Sequence, residues 1–191
     1  YVMINIPKNA SSYVSTWLHE NGWSFIDYAH HENLISNVKT VGVILRDPIN
    51  RFCTGFAQYF KSNVVQPVWS KNFQALTIED IKAQWPVIER LMADVAILFD
   101  DHTMPQYYFY ESFLPNTSRE YFYCNQYLDQ TLQKHFNLAT PTAQAEQDAN
   151  ITAMKVDEKG GNINMQILEL VKHSVEKPEI KARLMQILQR D

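Results

Sequence analysis

The sequence predicts an α/β fold in which a central parallel sheet is flanked by helices. Two apolar runs rich in β-branched residues, Tyr1–Ile6 and Thr40–Leu45, are typical of buried strands. Between them lie a predicted helix and a further predicted strand at Trp23–Ala29. Strands that alternate with helices along the chain are typical of a parallel sheet with helical crossovers, which is why this fold class is expected.

The first strand leads into a predicted strand–loop–helix, Tyr1–Gly22. The helix is expected over Tyr13–Glu20, and Ser11 or Ser12 can cap its N-terminus. Asn21-Gly22 supplies the residue types that end helices. This segment therefore places a polar turn between the end of a strand and the start of a helix.

Helix signals recur after the third predicted strand. Pro48 suits the first turn of a helix that runs to about Ser62. A longer helix is predicted over Thr77–Leu98, where Thr77 and Asp80 resemble a capping box and Pro86 is expected to kink or split the helix. A strand and three more helices are predicted at Glu120–Asn125, Leu128–Phe136, Asn164–Val175 and Pro178–Arg190.

Length and composition predict one folded domain over residues 1–191. The chain has 191 residues with 46% hydrophobic and 20% charged side chains, which suits a full core and excludes a disordered tail. It opens directly on a strand without an initiator Met, so we expect native residues before Tyr1. The net charge of −4 disfavours a general nucleic-acid binder.

Membrane, disulfide and metal signals are weak. No apolar run reaches the roughly 20 residues of a transmembrane helix, so we expect no membrane segment in this sequence. Cys53 and Cys124 lack metal-ligand spacing, and we expect two reduced thiols. No metal site is predicted.

The loop within Ile6–Tyr13 (IPKNASSY) carries the features of an anion site. A helix N-terminus offers unpaired N–H groups and the positive end of the helix dipole. Ala10, Ser11 and Ser12 are small enough for a phosphate to approach the backbone, and Lys8 supplies a cation. The Walker pattern is absent and the loop has no glycine, so an ordinary nucleoside triphosphatase is not expected. The alternative is a plain strand–turn–helix with an exposed lysine.

A second segment, Arg46–Phe56 (RDPINRFCTGF), also follows an apolar strand and opens a helix. Arg46 comes at the carboxyl end of the strand, where ligands bind in open parallel sheets, and Thr54 lies two turns into the helix. Together they offer a guanidinium fork and a hydroxyl to one phosphate. The alternative is that Arg46 or Arg51 forms an ion pair with Asp47 at the helix start.

PKNASS followed by RDPINRFCTGF resembles the two nucleotide motifs of sulfotransferases, particularly the carbohydrate-type, family 2-like group. A third stretch, Asp101–Gln106 (DHTMPQ), is similar to a DxHxxPQ-type segment of the same group. The three motifs occur in the expected order and cover the chain through about Tyr110. The resemblance implies a P-loop-like three-layer fold. It also implies transfer of a sulfuryl group from 3′-phosphoadenosine 5′-phosphosulfate (PAPS) to a hydroxyl of a glycan or another acceptor, without a metal.

The resemblance also assigns site residues. Lys8 matches the lysine that contacts the 5′-phosphosulfate and its leaving oxygen. Arg46 and Thr54 match the pair that binds the 3′-phosphate, although the family usually has serine at the position of Thr54. Arg51 fits the same motif, with a structural salt bridge as its alternative. The other residues of the donor-binding cradle are Pro7, Asn9, Ala10, Ser11 and Ser12.

The general base is the least determined part of the predicted site. His30, His31, Glu32 and His102 are candidates, and related enzymes commonly use a His or Glu near the end of the second strand. Neighbouring residues of an extended segment point in opposite directions, so one of His30 and His31 is expected to face the site, and we favour His31. His102 can act as the base or bind the acceptor. The alternative for each histidine is a solvated surface residue, or one whose hydrogen bonds are satisfied within the fold.

Gln106 and Tyr107–Tyr110 either line the acceptor cleft or belong to the core. Two other functions remain open at this stage. One is a small-molecule kinase with a deviant phosphate loop, and the other is a non-catalytic nucleotide-binding or glycan-binding domain of the same fold.

Overall fold

The computed structural model describes residues 1–23, 25–27, 38–65, 76–93, 100–112, 116–141 and 163–191. The strands in these ranges are β1 (Val2–Asn5), β2 (Phe25–Asp27), β3 (Thr40–Leu45) and β4 (Ser118–Tyr123). The α-helices are α1 (Ser11–Glu20), α2 (Pro48–Phe60), α3 (Ile78–Ala93), α4 (Leu128–Phe136), α5 (Ile163–Val175) and α6 (Pro178–Leu188). Short π-helical turns occur at Lys61–Val65 and Tyr108–Ser112.

The chain divides into two compact units. The first unit comprises Tyr1–Asp47, Pro105–Thr152 and Asp191, and the second comprises Pro48–Met104 and Ala153–Arg190. Each unit has its own hydrophobic core. One domain over residues 1–191 stays a prediction.

The first unit contains a four-stranded sheet in the order β2-β1-β3-β4, and all three neighbouring pairs are parallel. The α/β class and the parallel sheet predicted from the sequence are confirmed. Val41–Leu45 are all buried, as expected of a strand inside a parallel sheet. Because β1 and β3 are adjacent and parallel, the residues that follow them emerge at the same edge of the sheet.

Helices α1 and α4 contribute to the core of the first unit. Val14, Trp17 and Leu18 follow the spacing of one helix face, and all three are buried. Trp17 also donates its indole N–H to the carbonyl oxygen of Ala139 at 2.8 Å. Helix α1 ends as predicted at Asn21, and Gly22 has the left-handed φ of 78° that glycine adopts readily.

The second unit is built from α2, α3, α5 and α6 within the described ranges. Phe52, Phe56 and Phe60 recur every four residues on α2 and form a buried aromatic row, with Phe60 packed edge-on against Trp85. The indole N–H of Trp85 donates to the hydroxyl of Ser174 at 2.8 Å. This bond satisfies both polar groups inside an otherwise apolar core.

The start of α3 agrees with the sequence and its middle does not. Thr77 and Asp80 form the predicted capping box, with the Thr77 N–H donating to Asp80 Oδ2 at 2.9 Å and the Asp80 N–H to Thr77 Oγ1 at 3.2 Å. The predicted split at Pro86 is wrong, because α3 continues through it. Ile81 and Met92, on either side of Pro86, are buried, and burial of this face offsets the hydrogen bond that proline removes.

None of the described helices is both long enough and apolar enough to cross a membrane.

Candidate functional site

The loop between β1 and α1 has an unusual backbone for a segment without glycine. Lys8 has φ of 70° and Ala10 has φ of 58° with ψ of 25°, so both lie in the left-handed region. Ser11 begins a right-handed helix directly afterwards. Alternation of left-handed and right-handed residues points successive N–H groups into one concavity, which is an anion-binding geometry. The left-handed conformation costs about 1–2 kcal/mol for each non-glycine residue, so the rest of the fold must hold it in place.

The predicted serine cap is wrong. Ala10 is the N-cap residue of α1, no side chain caps the helix, and Ser11 and Ser12 already belong to its first turn. The first intrahelical acceptor is the Ala10 carbonyl oxygen, which receives the Val14 N–H at 2.9 Å. The N–H groups of Ser11 and Ser12 precede this Val14 donor, and the first turn contains no acidic side chain. Both features favour an anion at this helix end.

The buried side chain of Asn9 holds the loop in place through hydrogen bonds. Its side chain is 1% exposed, and Nδ2 donates to the carbonyl oxygen of Ile44 and to Oε1 of Gln106, each at 2.6 Å. Its own N–H donates to Ile6 at 3.1 Å. Oδ1 of Asn9 is buried without a hydrogen-bond partner among the described residues, at a cost of about 1–3 kcal/mol. The side chain of Asn9 thus supports the loop whose backbone is predicted to bind the donor.

Arg46 reaches the loop directly. It follows β3, is half-buried, and its Nη1 donates to the Lys8 carbonyl oxygen at 2.9 Å. The structure therefore brings together Lys8 and Arg46, the two cationic residues that sequence reasoning assigned to separate phosphate groups. Pro7 and Lys8 are themselves half-buried.

Gln106 is the residue whose importance the sequence did not reveal. It was expected to line an acceptor cleft or the core, but it is 0% exposed and its amide bonds to the polar groups of Asn9 and Arg46. Its backbone N–H donates to Oδ2 of Asp191 at 2.9 Å. The only sequence signal for this role was its place at the end of the DHTMPQ stretch.

Thr54 lies in the second unit, on α2. Its hydroxyl donates to the carbonyl oxygens of Asn50 at 3.1 Å and Arg51 at 2.9 Å, one turn earlier in the same helix. A hydroxyl has a single proton, so donation to a phosphate requires rotation away from these carbonyls. Its role with the 3′-phosphate stays a prediction.

Arg51 has a structural role. It is 1% exposed, and its guanidinium donates to the carbonyl oxygens of Met104 and Asp101, the latter at 3.1 Å. Buried charge is tolerated here because the guanidinium donates hydrogen bonds to the chain around it. Arg51 thereby fixes Asp101 and Met104 to α2.

His102 is held by Asp100. Nδ1 of His102 lies 3.0 Å from Oδ2 of Asp100, while Oδ1 accepts the N–H groups of His102 at 3.0 Å and Thr103 at 3.1 Å. Burial alone raises the pKa of Asp100, but the hydrogen bond and charge of His102 and the hydrogen bond from Thr103 lower it on balance. The carboxylate that holds His102 therefore belongs to Asp100, one residue before the DHTMPQ stretch.

Gly55 explains how this turn can approach α2. A Cβ atom at Gly55 would lie 2.0 Å from the carbonyl oxygen of His102, so any larger residue would push the turn away from the helix. The position of His102 thus depends on Gly55, Arg51 and Asp100 together.

Some of the other predicted site residues lie within the described residues and some do not. His31 lies outside the described residues, as do His30 and Glu32. The tyrosine cluster is mixed, since Tyr110 is buried whereas Tyr108 is 37% exposed and stacks on Tyr107 with ring centroids 4.6 Å apart.

Cys53 and Cys124 are free thiols, and burial raises the pKa of Cys124. Within the described ranges, no group of three or more His, Cys, Asp or Glu side chains is arranged to hold a metal ion.

No family model, curated protein or solved structure significantly matches this sequence or its structure.

Proposed function

We propose that this chain is a PAPS-dependent O-sulfotransferase that transfers a sulfuryl group to a hydroxyl of a glycan or another acceptor. The proposal includes a P-loop-like three-layer arrangement, with the parallel sheet between helices. One observation carries it. The left-handed loop at Lys8–Ala10 and the guanidinium of Arg46 meet at the carboxyl edge of two adjacent parallel strands.

That arrangement suits a donor with two separated phosphate groups. The N–H groups at the start of α1 and the ammonium of Lys8 favour the 5′-phosphosulfate. Arg46 offers a planar fork to a second phosphate, and Thr54 is proposed to add a hydroxyl. A Walker-type triphosphate site would instead need glycines and a lysine after the loop, which this sequence lacks.

The proposed reaction is an in-line displacement at sulfur. The acceptor oxygen forms a bond to sulfur while the bond from sulfur to the 5′-phosphate oxygen breaks, and the acceptor proton passes to a base. Lys8 and the helix N-terminus stabilise the negative charge that develops on the departing phosphate. The gain comes from positioning and electrostatics, so no redox group or metal enters this scheme.

His102 is the proposed base among the described residues. Asp100 at 3.0 Å from Nδ1 favours the tautomer with its proton on Nδ1, which leaves Nε2 as the acceptor. The side chain of His102 is 38% exposed, so an acceptor can approach it from solvent. His31 remains a proposed alternative.

The direct test is transfer of radiolabelled sulfate from PAPS to a panel of glycans and small hydroxylated molecules, with the Lys8→Ala variant as the inactive control. We expect labelled product with at least one acceptor class. Product labelled from γ-phosphate of ATP instead would support the kinase alternative. Binding of the nucleotide without transfer to any acceptor would support a non-catalytic domain.

A further inference from the structure

The side-chain amide of Gln106 continues the hydrogen-bonding pattern of the sheet past the end of β3. Oε1 accepts the backbone N–H of Arg46 and Nε2 donates to the backbone carbonyl oxygen of Arg46, both at 2.9 Å. An amide that pairs with both backbone groups of one residue substitutes for a neighbouring strand. Arg46 is therefore fixed in backbone position although it lies outside the strand.

The same amide also holds the loop. Oε1 of Gln106 accepts a second hydrogen bond from Nδ2 of Asn9 at 2.6 Å. Asn9 sits between the two left-handed residues Lys8 and Ala10, so its side chain connects the strained part of the loop to the end of β3. Together with the bond from Nη1 of Arg46 to the Lys8 carbonyl oxygen, this buried amide holds the loop and Arg46 at a fixed distance.

We propose that Gln106 is a positioning residue that makes the donor site selective for a nucleotide with two separate phosphate groups. The inference rests on the proposed sulfotransferase function and adds a determinant of donor specificity to it. Gln106 is 0% exposed, so it acts through Asn9 and Arg46 and not by contact with the donor.

Selectivity of this kind requires a fixed distance between the two anion-binding groups of the protein. A ligand with two anionic groups binds more tightly than a ligand with one only if both receptor sites are held at the matching distance, because the second contact is then intramolecular. Loss of the Gln106 amide removes a hydrogen-bond partner of the Arg46 N–H, one of the Arg46 carbonyl oxygen and one of the two acceptors of Asn9 Nδ2, and these groups shift to form new hydrogen bonds. Their movement separates the loop from Arg46 and removes the advantage of the second phosphate.

Asp191 holds the backbone of Gln106 in place. Its carboxylate accepts the N–H of Gln106 at 2.9 Å and the N–H of Tyr107 at 3.1 Å. Two bonds to consecutive N–H groups fix the backbone that presents the amide. This anchoring leaves the Gln106 side chain little freedom to turn away from Arg46.

The test compares dissociation constants for adenosine 3′,5′-bisphosphate and for AMP, which lacks the 3′-phosphate. The wild type is expected to prefer the bisphosphate, and Gln106→Leu to reduce that preference at least tenfold. Trp17→Phe is the matched control, because it removes a buried hydrogen bond from the core of the same unit without touching Gln106. A folded Gln106→Leu variant with the full preference would overturn the positioning role.

Gln106→Asn provides a second variant if the leucine variant does not fold. It keeps an uncharged amide but shortens the side chain by one methylene, so the bonds to Asn9 and Arg46 are weakened and an intermediate preference is expected. Failure of both variants to fold would assign the amide to stability and contradict the specificity role. A wild-type protein without any preference for the bisphosphate would instead contradict the sulfotransferase proposal itself.

Discussion

Nη1 of Arg46 donates to the carbonyl oxygen of Lys8 at 2.9 Å, across 38 positions of sequence. The bond joins the residues that follow two adjacent parallel strands, β1 and β3. The proposed function depends on this contact, because it joins the guanidinium of Arg46 to the backbone of the loop that is proposed to bind the 5′-phosphosulfate.

Arg46→Ala is expected to remove discrimination between 3′-phosphorylated and plain adenosine nucleotides. Hydrogen bonds to charged groups contribute about 1.5–3 kcal/mol, which corresponds to roughly a 10- to 100-fold loss in affinity for the bisphosphate. Calorimetric titration with both nucleotides measures it. Arg119→Ala is the control, since Arg119 lies in the same unit and its Nε donates to the Tyr110 carbonyl oxygen at 3.0 Å. Retained discrimination in Arg46→Ala would mean that Arg46 does not bind the 3′-phosphate.

Lys8→Ala is expected to reduce turnover more than donor binding. A cation placed against the leaving phosphate acts mainly in the transition state, and loss of one such group costs about 10²–10³ in turnover. Single-turnover rates and donor dissociation constants measured side by side separate the two effects. Lys134→Ala removes an exposed lysine from α4 and should leave both unchanged. Full turnover in Lys8→Ala would exclude Lys8 from the mechanism.

The backbone of the sheet could be predicted from the sequence, but the geometry of the loop could not. Thr40–Leu45 and Leu128–Phe136 have the predicted bounds, because an unbroken apolar run and a periodic helix face are local signals. The left-handed conformations of Lys8 and Ala10 have no such signal, since glycine is the usual marker for them. They are held by Asn9, through bonds to residues 35 and 97 positions away.

The same limit applies to Gln106. Its position in a DHTMPQ stretch indicated a motif residue but not what it contacts. Its partners Asn9, Arg46 and Asp191 come from three distant parts of the chain, and they meet only after the first unit has folded. Sequence periodicity predicts which face of a helix or strand is buried. A single buried amide in a loop produces no such periodic pattern.

Asp100→Asn is expected to lower turnover through His102. Oδ1 is held by the N–H groups of His102 and Thr103, so the new amide NH2 faces Nδ1 of His102. It donates to Nδ1 and favours the tautomer with its proton on Nε2, which can then no longer accept the acceptor proton. A general base contributes about 10²–10⁴-fold, and we expect Asp100→Asn to lose a part of the effect seen in His102→Ala. Turnover at saturating donor across pH is the measurement. If both variants keep wild-type turnover at every pH, the base is another residue, with His31 the next to test.

Glu89 makes the stability of the second unit depend on pH. Burial alone raises the pKa of Glu89, but its hydrogen bonds from Lys177 and Ser174 lower it below the ordinary value. At a pH between the lowered pKa of folded Glu89 and its ordinary pKa, the unfolded chain therefore binds more protons than the folded one. The contribution is therefore present above the ordinary glutamate pKa of about 4.3 and is lost as the pH falls through the lower folded value.

Glu89→Gln is expected to destabilise the protein by about 1–3 kcal/mol at neutral pH, with a smaller difference from wild type in acid. Urea unfolding at several pH values measures both. Glu169→Gln is the matched control, because its pair with Lys172 is exposed and such pairs contribute about 0–1 kcal/mol. A difference between wild type and Glu89→Gln that stays constant down to acidic pH would contradict the assigned cause.

The proposed function requires that this chain bind a nucleotide with separate 3′- and 5′-phosphate groups. Thermal unfolding with adenosine 3′,5′-bisphosphate, compared with ATP and Mg²⁺, tests it most directly. At about 100 times its dissociation constant a ligand stabilises the folded state by about 2.7 kcal/mol, so a specific ligand gives a clear rise in melting temperature. We expect the bisphosphate to raise the melting temperature, and ATP with Mg²⁺ at the same concentration to leave it unchanged. A larger rise with ATP and Mg²⁺, or no response to either nucleotide, would contradict it.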